Sequence, residues 1–253
     1  MINNKYLADR NSQNPFYMKK ITTLLSVLLL VSINLVQSQS LDDILKEHFS
    51  TTGQDKLLKV NTQKLTGKMI QGGVEIPFIQ MAKRPDKVRV EGTFQGLTFK
   101  QTYNGKEGWN TNPFVGVTEP QPFSEDELKS IHYQSDMDGM LWNWKEKGYT
   151  VTFDGKEDME GTSCFKIKLI SKAGDSFTYY IDSDSYILIR LTTKIKVMGN
   201  ETEADNYYSN YMQVEGLAVP AKVETKMNEQ LVMTIVVDKV ELNIELDDTL
   251  FEK

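Results

Sequence analysis

The chain has 253 residues, with 29 Lys and Arg against 35 Asp and Glu, a formal charge of −6 and a single cysteine. Residues 1–38 hold Lys5, Arg10, Lys19 and Lys20 against Asp9, a net of +3, so residues 39–253 carry −6 less +3, which is −9. That balance argues against nucleic acid and anionic membrane surfaces as partners, since both need basic patches, and one cysteine excludes an internal disulfide.

Met18-Lys19-Lys20 is a short positive start, followed by an apolar run over 21–36 and a polar exit at Gln37–Ser40. Charged start, apolar run and small-residue exit predict a secretory signal peptide over 1–38, cleaved after Ser38. The run is shorter than the ~20 apolar residues of a membrane span, and Ser32 and Asn34 interrupt it. Met18 is the expected initiator, with residues 1–17 upstream of the true start. No cysteine follows the run, so lipidation there is not expected. Residues 39–253 are expected to form one domain.

Ser40-Leu41-Asp42-Asp43 resembles a capping box, and Leu41, Ile44, Leu45 and Phe49 form an apolar stripe, which predicts a helix over about 41–50. A shorter helical piece is expected near 55–59. After Val60 the period becomes two. Val88, Val90 and Phe94 alternate with polar residues, as do Phe165, Ile167 and Leu169. This is strand with one wet face and one apolar face. Turns are expected at Gly72-Gly73, Gln95-Gly96, Asn104-Gly105, Asp154-Gly155, Ala173-Gly174, Gly199-Asn200 and Glu215-Gly216. The count is about 10 or 11 strands in meander order. One interruption stands between them. Ser124-Glu125-Asp126-Glu127 is a second capping box, opening a helix that breaks near Asp138-Gly139 and continues through Met140, Leu141, Trp142 and Trp144.

A wide antiparallel sheet with one apolar face must cover it. With only two helical stretches, the expected fold is mainly β: an incomplete antiparallel barrel closed by a helical lid or plug around an apolar cavity.

Lys83-Arg84-Pro85-Asp86 precedes the strand of Val88, and Asn104-Gly105-Lys106-Glu107-Gly108-Trp109 is followed by Asn112-Pro113-Phe114. In order and spacing these segments resemble the LolA family of periplasmic lipoprotein carriers, over about 35 residues in detail and more loosely over the mature chain. The resemblance implies a periplasmic carrier that binds lipid or lipoprotein acyl chains for transfer toward the outer membrane, with membrane-bound loading and receiving partners. It implies that Arg84 locks the lid. The expected cavity and lid residues are Val88, Val90, Phe94, Leu97, Phe99, Trp109, Met137, Met140, Leu141, Trp144, Phe165 and Ile167. Extra strand material over 200–229 departs from a typical carrier. An envelope sensor that binds a regulatory protein on the same fold is the alternative reading.

Catalytic signatures are missing from the sequence. His132 reads as a helix-face residue and Cys164 as a structural thiol. Asp182-Ser183-Asp184-Ser185 reads as a turn, because the later Gly and Glu of a calcium loop are missing. The expectation is a monomeric protein that is not an enzyme and holds no metal or cofactor.

Overall fold

The computed structural model describes residues 39–197 and 199–253, so the expected signal peptide lies outside the described residues. Ser40–Lys253 forms one compact unit. Its helices are α1 (Leu41–Thr52), the single turn α2 (Gln54–Leu57) and α3 (Glu125–Ser135). Both capping boxes form: Ser40 and Ser124 accept from the N–H of Asp43 and Glu127, whose carboxylates accept from the serine N–H in return. These bonds satisfy donors that a helix start leaves orphaned. Gly53 ends α1 in the left-handed region at φ 80°, and a Cβ there would strike the Gly216 carbonyl.

The strands are β1 (Thr62–Gln71), β2 (Val74–Lys83), β3 (Lys87–Phe94), β4 (Leu97–Tyr103), β5 (Gly108–Asn112), β6 (Val117–Pro122), β7 (Thr150–Met159), β8 (Thr162–Ile170), β9 (Ser176–Asp182), β10 (Leu188–Val197), β11 (Asn200–Val214), β12 (Leu217–Met227) and β13 (Gln230–Leu242). They form one 13-stranded sheet in the order β6-β5-β4-β3-β2-β1-β13-β12-β11-β10-β9-β8-β7. The sheet is antiparallel and stays open, an incomplete barrel. Its two edges, β6 and β7, flank the helical insertion in the chain. The count exceeds the expected 10 or 11 because β5 and β6 are short, and the prolines of β6 hide its period. Asp154-Gly155 is not a turn. β7 runs through it with a bulge between Phe153 and Lys156, Gly155 taking φ 90°, and the hairpin turns at Glu160-Gly161 instead. The expected helix beyond Asp138 is also corrected. Residues 139–148 form successive turns, because Gly139 (φ 77°) and Asn143 (φ 49°) adopt left-handed backbone that a helix cannot continue through.

Two apolar clusters cover the concave face. Under α1 and the 140–141 turn, Ile44, Leu45, Met140 and Leu141 pack on Phe165, Ile167, Leu169, Phe177, Tyr179 and Ile181. Register explains the set: Phe165 pairs with Ile181, Ile167 with Tyr179 and Leu169 with Phe177, so all six strand residues share one face. Under α3, Ile131 and Phe123 pack on Ala82, Val88 and Tyr103. Between these clusters the same face carries Leu65, Met69, Val223 and Ile235, only half-buried. On the convex face the C-terminal tail lies across β2 and β3. Leu246 and Phe251 pack on Met81, while Arg89 donates to the Leu250 carbonyl at 2.9 Å and Lys83 to that of Leu246 at 2.7 Å.

One buried carboxylate ties α3 to the sheet. Asp175 accepts from the Lys196 N–H (3.0 Å), the Tyr133 hydroxyl (2.9 Å) and Lys129 (3.3 Å). Burial alone would raise its carboxyl, but these donors together hold it below the usual carboxylate range. Burial pushes the Tyr133 hydroxyl up to about 12, so it remains a donor. A depressed carboxyl contributes stability in full above its unfolded value of about 3.9 and loses it as pH falls through the folded value. The Asp175→Asn variant is therefore expected to unfold at lower urea than the wild type at pH 7. The difference should shrink toward pH 3, as urea midpoints across that range will show. Phe165→Ala is expected to cost about 3–5 kcal/mol in the same assay.

Candidate functional site

A cavity of about 510 Å³ opens between α1, residues 136–142, and the strands β11 and β12. Residues 136–142 supply Met137, Met140, Leu141 and Trp142; β12 supplies Leu217 and Val219. The polar groups in its wall are mostly neutral. His48 places Nδ1 2.7 Å from the Tyr186 carbonyl. Burial lowers its pKa, with that hydrogen bond opposing, so the ring is uncharged at neutral pH. Burial pushes the Tyr208 hydroxyl up to about 12 and raises that of Tyr211, which donates to the Leu188 carbonyl at 2.7 Å. Its carboxylates, Asp136 and Asp138, each hold a cation: Lys147 at 2.6 Å and Arg84 at 2.6 Å.

Arg84 binds the cover over this cavity to the sheet. It stands just after β2, and its guanidinium has three acceptors from two different segments. Nε donates to the Val60 carbonyl at 2.6 Å, and Nη2 donates to the Leu57 carbonyl at 3.0 Å and to Asp138 Oδ1 at 2.6 Å. The two carbonyls lie at and just beyond the end of α2, and that of Leu57 also accepts from the Val60 N–H at 3.0 Å. The planar fork of arginine can meet all three at once; a lysine ammonium cannot hold that geometry. Gln54 adds a bond from its side chain to the Asp138 carbonyl at 2.9 Å, and Lys147 donates to the Gly139 carbonyl at 2.9 Å. Residues 136–142 are thus fixed by polar contacts at three points.

A second hollow of about 440 Å³ lies on the outer side of α1, along residues 141–146. Phe49, Leu141 and Trp142 border both spaces. The Phe49 and Trp142 rings meet edge to face, with centroids 5.1 Å apart and planes at 78°. Among the described residues no three metal-ligating side chains come together. Cys164 is fully buried, and burial raises its thiol, as a structural cysteine requires.

No family model matches the chain, and no curated protein matches it. Solved structures do. A DUF1329 family protein from Desulfovibrio piger aligns at TM-score 0.58 and 12% identity, over 83% of this chain and 97% of that one. A LolA superfamily protein from Nitrosomonas europaea aligns at 0.57 and 12%, over 85% and 99%. The fold is LolA-like. A domain assigned to outer membrane lipoprotein sorting, from Vibrio parahaemolyticus, agrees at 0.54 and 11%, over 83% and 97%.

Within this LolA-like fold the expected site residues separate into groups. Met137, Met140 and Leu141 reach the cavity, and Trp144 lines the outer hollow. Val88, Phe165 and Ile167 do not. They are 2%, 0% and 0% exposed and belong to the packed core, because β3 and β8 run directly beneath the helices. Val90 packs beside the α3 cluster. Phe94, Leu97 and Phe99 share the concave face but do not border the cavity. Trp109 is on the opposite face: it pairs with Thr102, while Tyr103, whose ring faces α3, pairs with Gly108. Sequence reading missed His48, Tyr208, Leu217 and Val219. The alternation of Leu217, Val219 and Val223 was a usable signal for β12; His48 and Tyr208 carried none.

Removing Arg84 takes a donor from three acceptors, of which the Leu57 carbonyl keeps the Val60 N–H. Arg84→Ala is expected to cost about 2 kcal/mol and to speed hydrogen exchange in residues 136–139 well before global unfolding. Arg84→Lys should restore little of that protection.

Proposed function

We propose that the protein is a monomeric, non-enzymatic carrier that holds the acyl chains of a lipid or lipoprotein in the cavity between α1, residues 136–142 and β12, and ferries them through the periplasm toward the outer membrane. The observation that carries this reading is the cavity itself. Its volume of about 510 Å³ falls in the range of small-molecule sites, and its walls are methionine, leucine and aromatic side chains beside neutral polar groups. Methionine adapts to apolar chains of varied shape. Each methylene removed from water is worth roughly 0.8 kcal/mol, so a chain of ordinary lipid length supplies ample driving force. Arg84 fits the part of a latch, since it joins the sheet to the segment that covers the cavity. The fold shared with the LolA superfamily and lipoprotein-sorting structures supports the same reading, as does the signal-peptide pattern of residues 1–38.

Residues 40–253 purified from a bacterial periplasm are expected to yield a stoichiometric acyl species on solvent extraction and lipid mass spectrometry. Filling the cavity by Val219→Trp should reduce uptake of a fluorescent fatty acid at least about tenfold while the circular dichroism stays unchanged. A lipid-free protein that takes up no fatty acid would overturn the carrier reading in favour of a partner-binding sensor.

A further inference from the structure

Seven large apolar side chains are exposed among the described residues: Leu58, Val74, Leu97, Phe114, Val115, Met227 and Leu231. Six of them stand at hairpin turns. Val74 follows the β1–β2 turn, Leu97 the β3–β4 turn, Phe114 and Val115 form the β5–β6 turn, and Met227 and Leu231 flank the β12–β13 turn. The strands that carry these turns are eight consecutive neighbours in the sheet, from β6 to β12. Antiparallel alternation puts all four turns at one end, opposite the β2–β3 turn that holds Arg84. At about 4.8 Å per strand they span an arc of roughly 30 Å. Val115 is 71% exposed and Leu231 55%, far more than a core residue displaced by chance.

We infer that this end of the half-barrel docks on the surface of a zwitterionic lipid bilayer. Contiguous exposed apolar residues mark a partner or a membrane. The spacing favours the membrane. A stable protein interface needs a continuous, shape-matched core of about 1,000 Å² or more. These side chains project in ones and twos from four separate turns, between polar residues such as Gln71, Gln95 and Asn228, and a fluid surface accepts such points without complementary shape. Charge selects the kind of bilayer. The turn residues Gly72-Gly73, Gln95-Gly96, Pro113–Gly116 and Asn228-Glu229 include no Lys or Arg, Lys226 beside Met227 is offset by Glu229, and residues 39–253 carry −9, so anionic headgroups are not favoured. The apolar points continue inward along the concave face, where the Phe99 ring lies over Gly92 and beside Ile76. The inference stands on the turns alone and holds whatever the cavity carries.

The test is vesicle flotation with residues 40–253, which leaves out the apolar run at 21–36 that would itself bind lipid. The expected result is flotation with phosphatidylcholine vesicles, unchanged from low to high salt. The triple variant Leu97→Gln, Val115→Gln, Leu231→Gln should bind about tenfold or more weakly, with an unchanged thermal melt. Leu58→Gln, at the residue just after α2, should float like the wild type. Absence of flotation, equal flotation of the triple variant, or binding that needs anionic vesicles and disappears in salt would overturn the inference. A dimer in solution that the triple variant abolishes would overturn it too, by assigning the turns to a second copy of the chain.

Discussion

A sheet of thirteen strands with one apolar face creates a covering problem that the rest of the molecule answers. The described chain outside the sheet is short: two long helices, one helical turn, a run of tight turns and a tail. α1 and the 140–141 turn seal β8 and β9, and α3 seals β2 to β4. Nothing of comparable size is left for β11, β12, β13 and β1. Most of their concave residues, Leu65, Met69, Val223 and Ile235 among them, remain half-buried, and the cavity is the space where two partial covers fail to meet. The hollow thus follows from a shortage of helix, and no side chain has to be sacrificed to make it.

The cover over the cavity is attached in a different way from the cover over the core. Ile44 and Leu45 hold α1 down by burial, which weakens only if the whole cluster opens. Met140 and Leu141 are buried in the core cluster, whereas residues 136–139, just before them in the chain, are held by Arg84, Gln54 and Lys147 through hydrogen bonds and ion pairs. Such contacts exchange readily with water and contribute a modest net energy each. Residues 136–139, fixed this way, can loosen while Met140 and Leu141 stay packed in the core.

Much of this was legible in the sequence. Period two marked the strands, the two capping boxes marked α1 and α3, and Arg84 was placed where it does join the sheet to the insertion. What failed was assignment of faces and depth. Trp109 follows the expected turn, but one residue of register decides its side, and that register is set by the pairing of Tyr103 with Gly108. Phe165 and Ile167 look like any inward strand residues. Whether such a residue lines a hollow or fills a core depends on which helix lies above it, and the helix comes from a distant part of the chain. Gly155 signalled a turn and made a bulge, since both use the same backbone conformation.

The last strand of the chain is the middle of the sheet. β13 sits between β1 and β12, joining residues as far apart as Met69 and Ile235. Until it is in place, β1–β6 and β7–β12 can be no more than two separate sheets, each with a raw flank. Contacts between such distant partners form slowly and late. The strand acts as a keystone: a chain that stops short loses the joint between its halves, and loses it at the centre, where no edge could be trimmed harmlessly. Commitment to the complete fold therefore waits for β13, because the strand that joins the two halves comes after both of them in the chain.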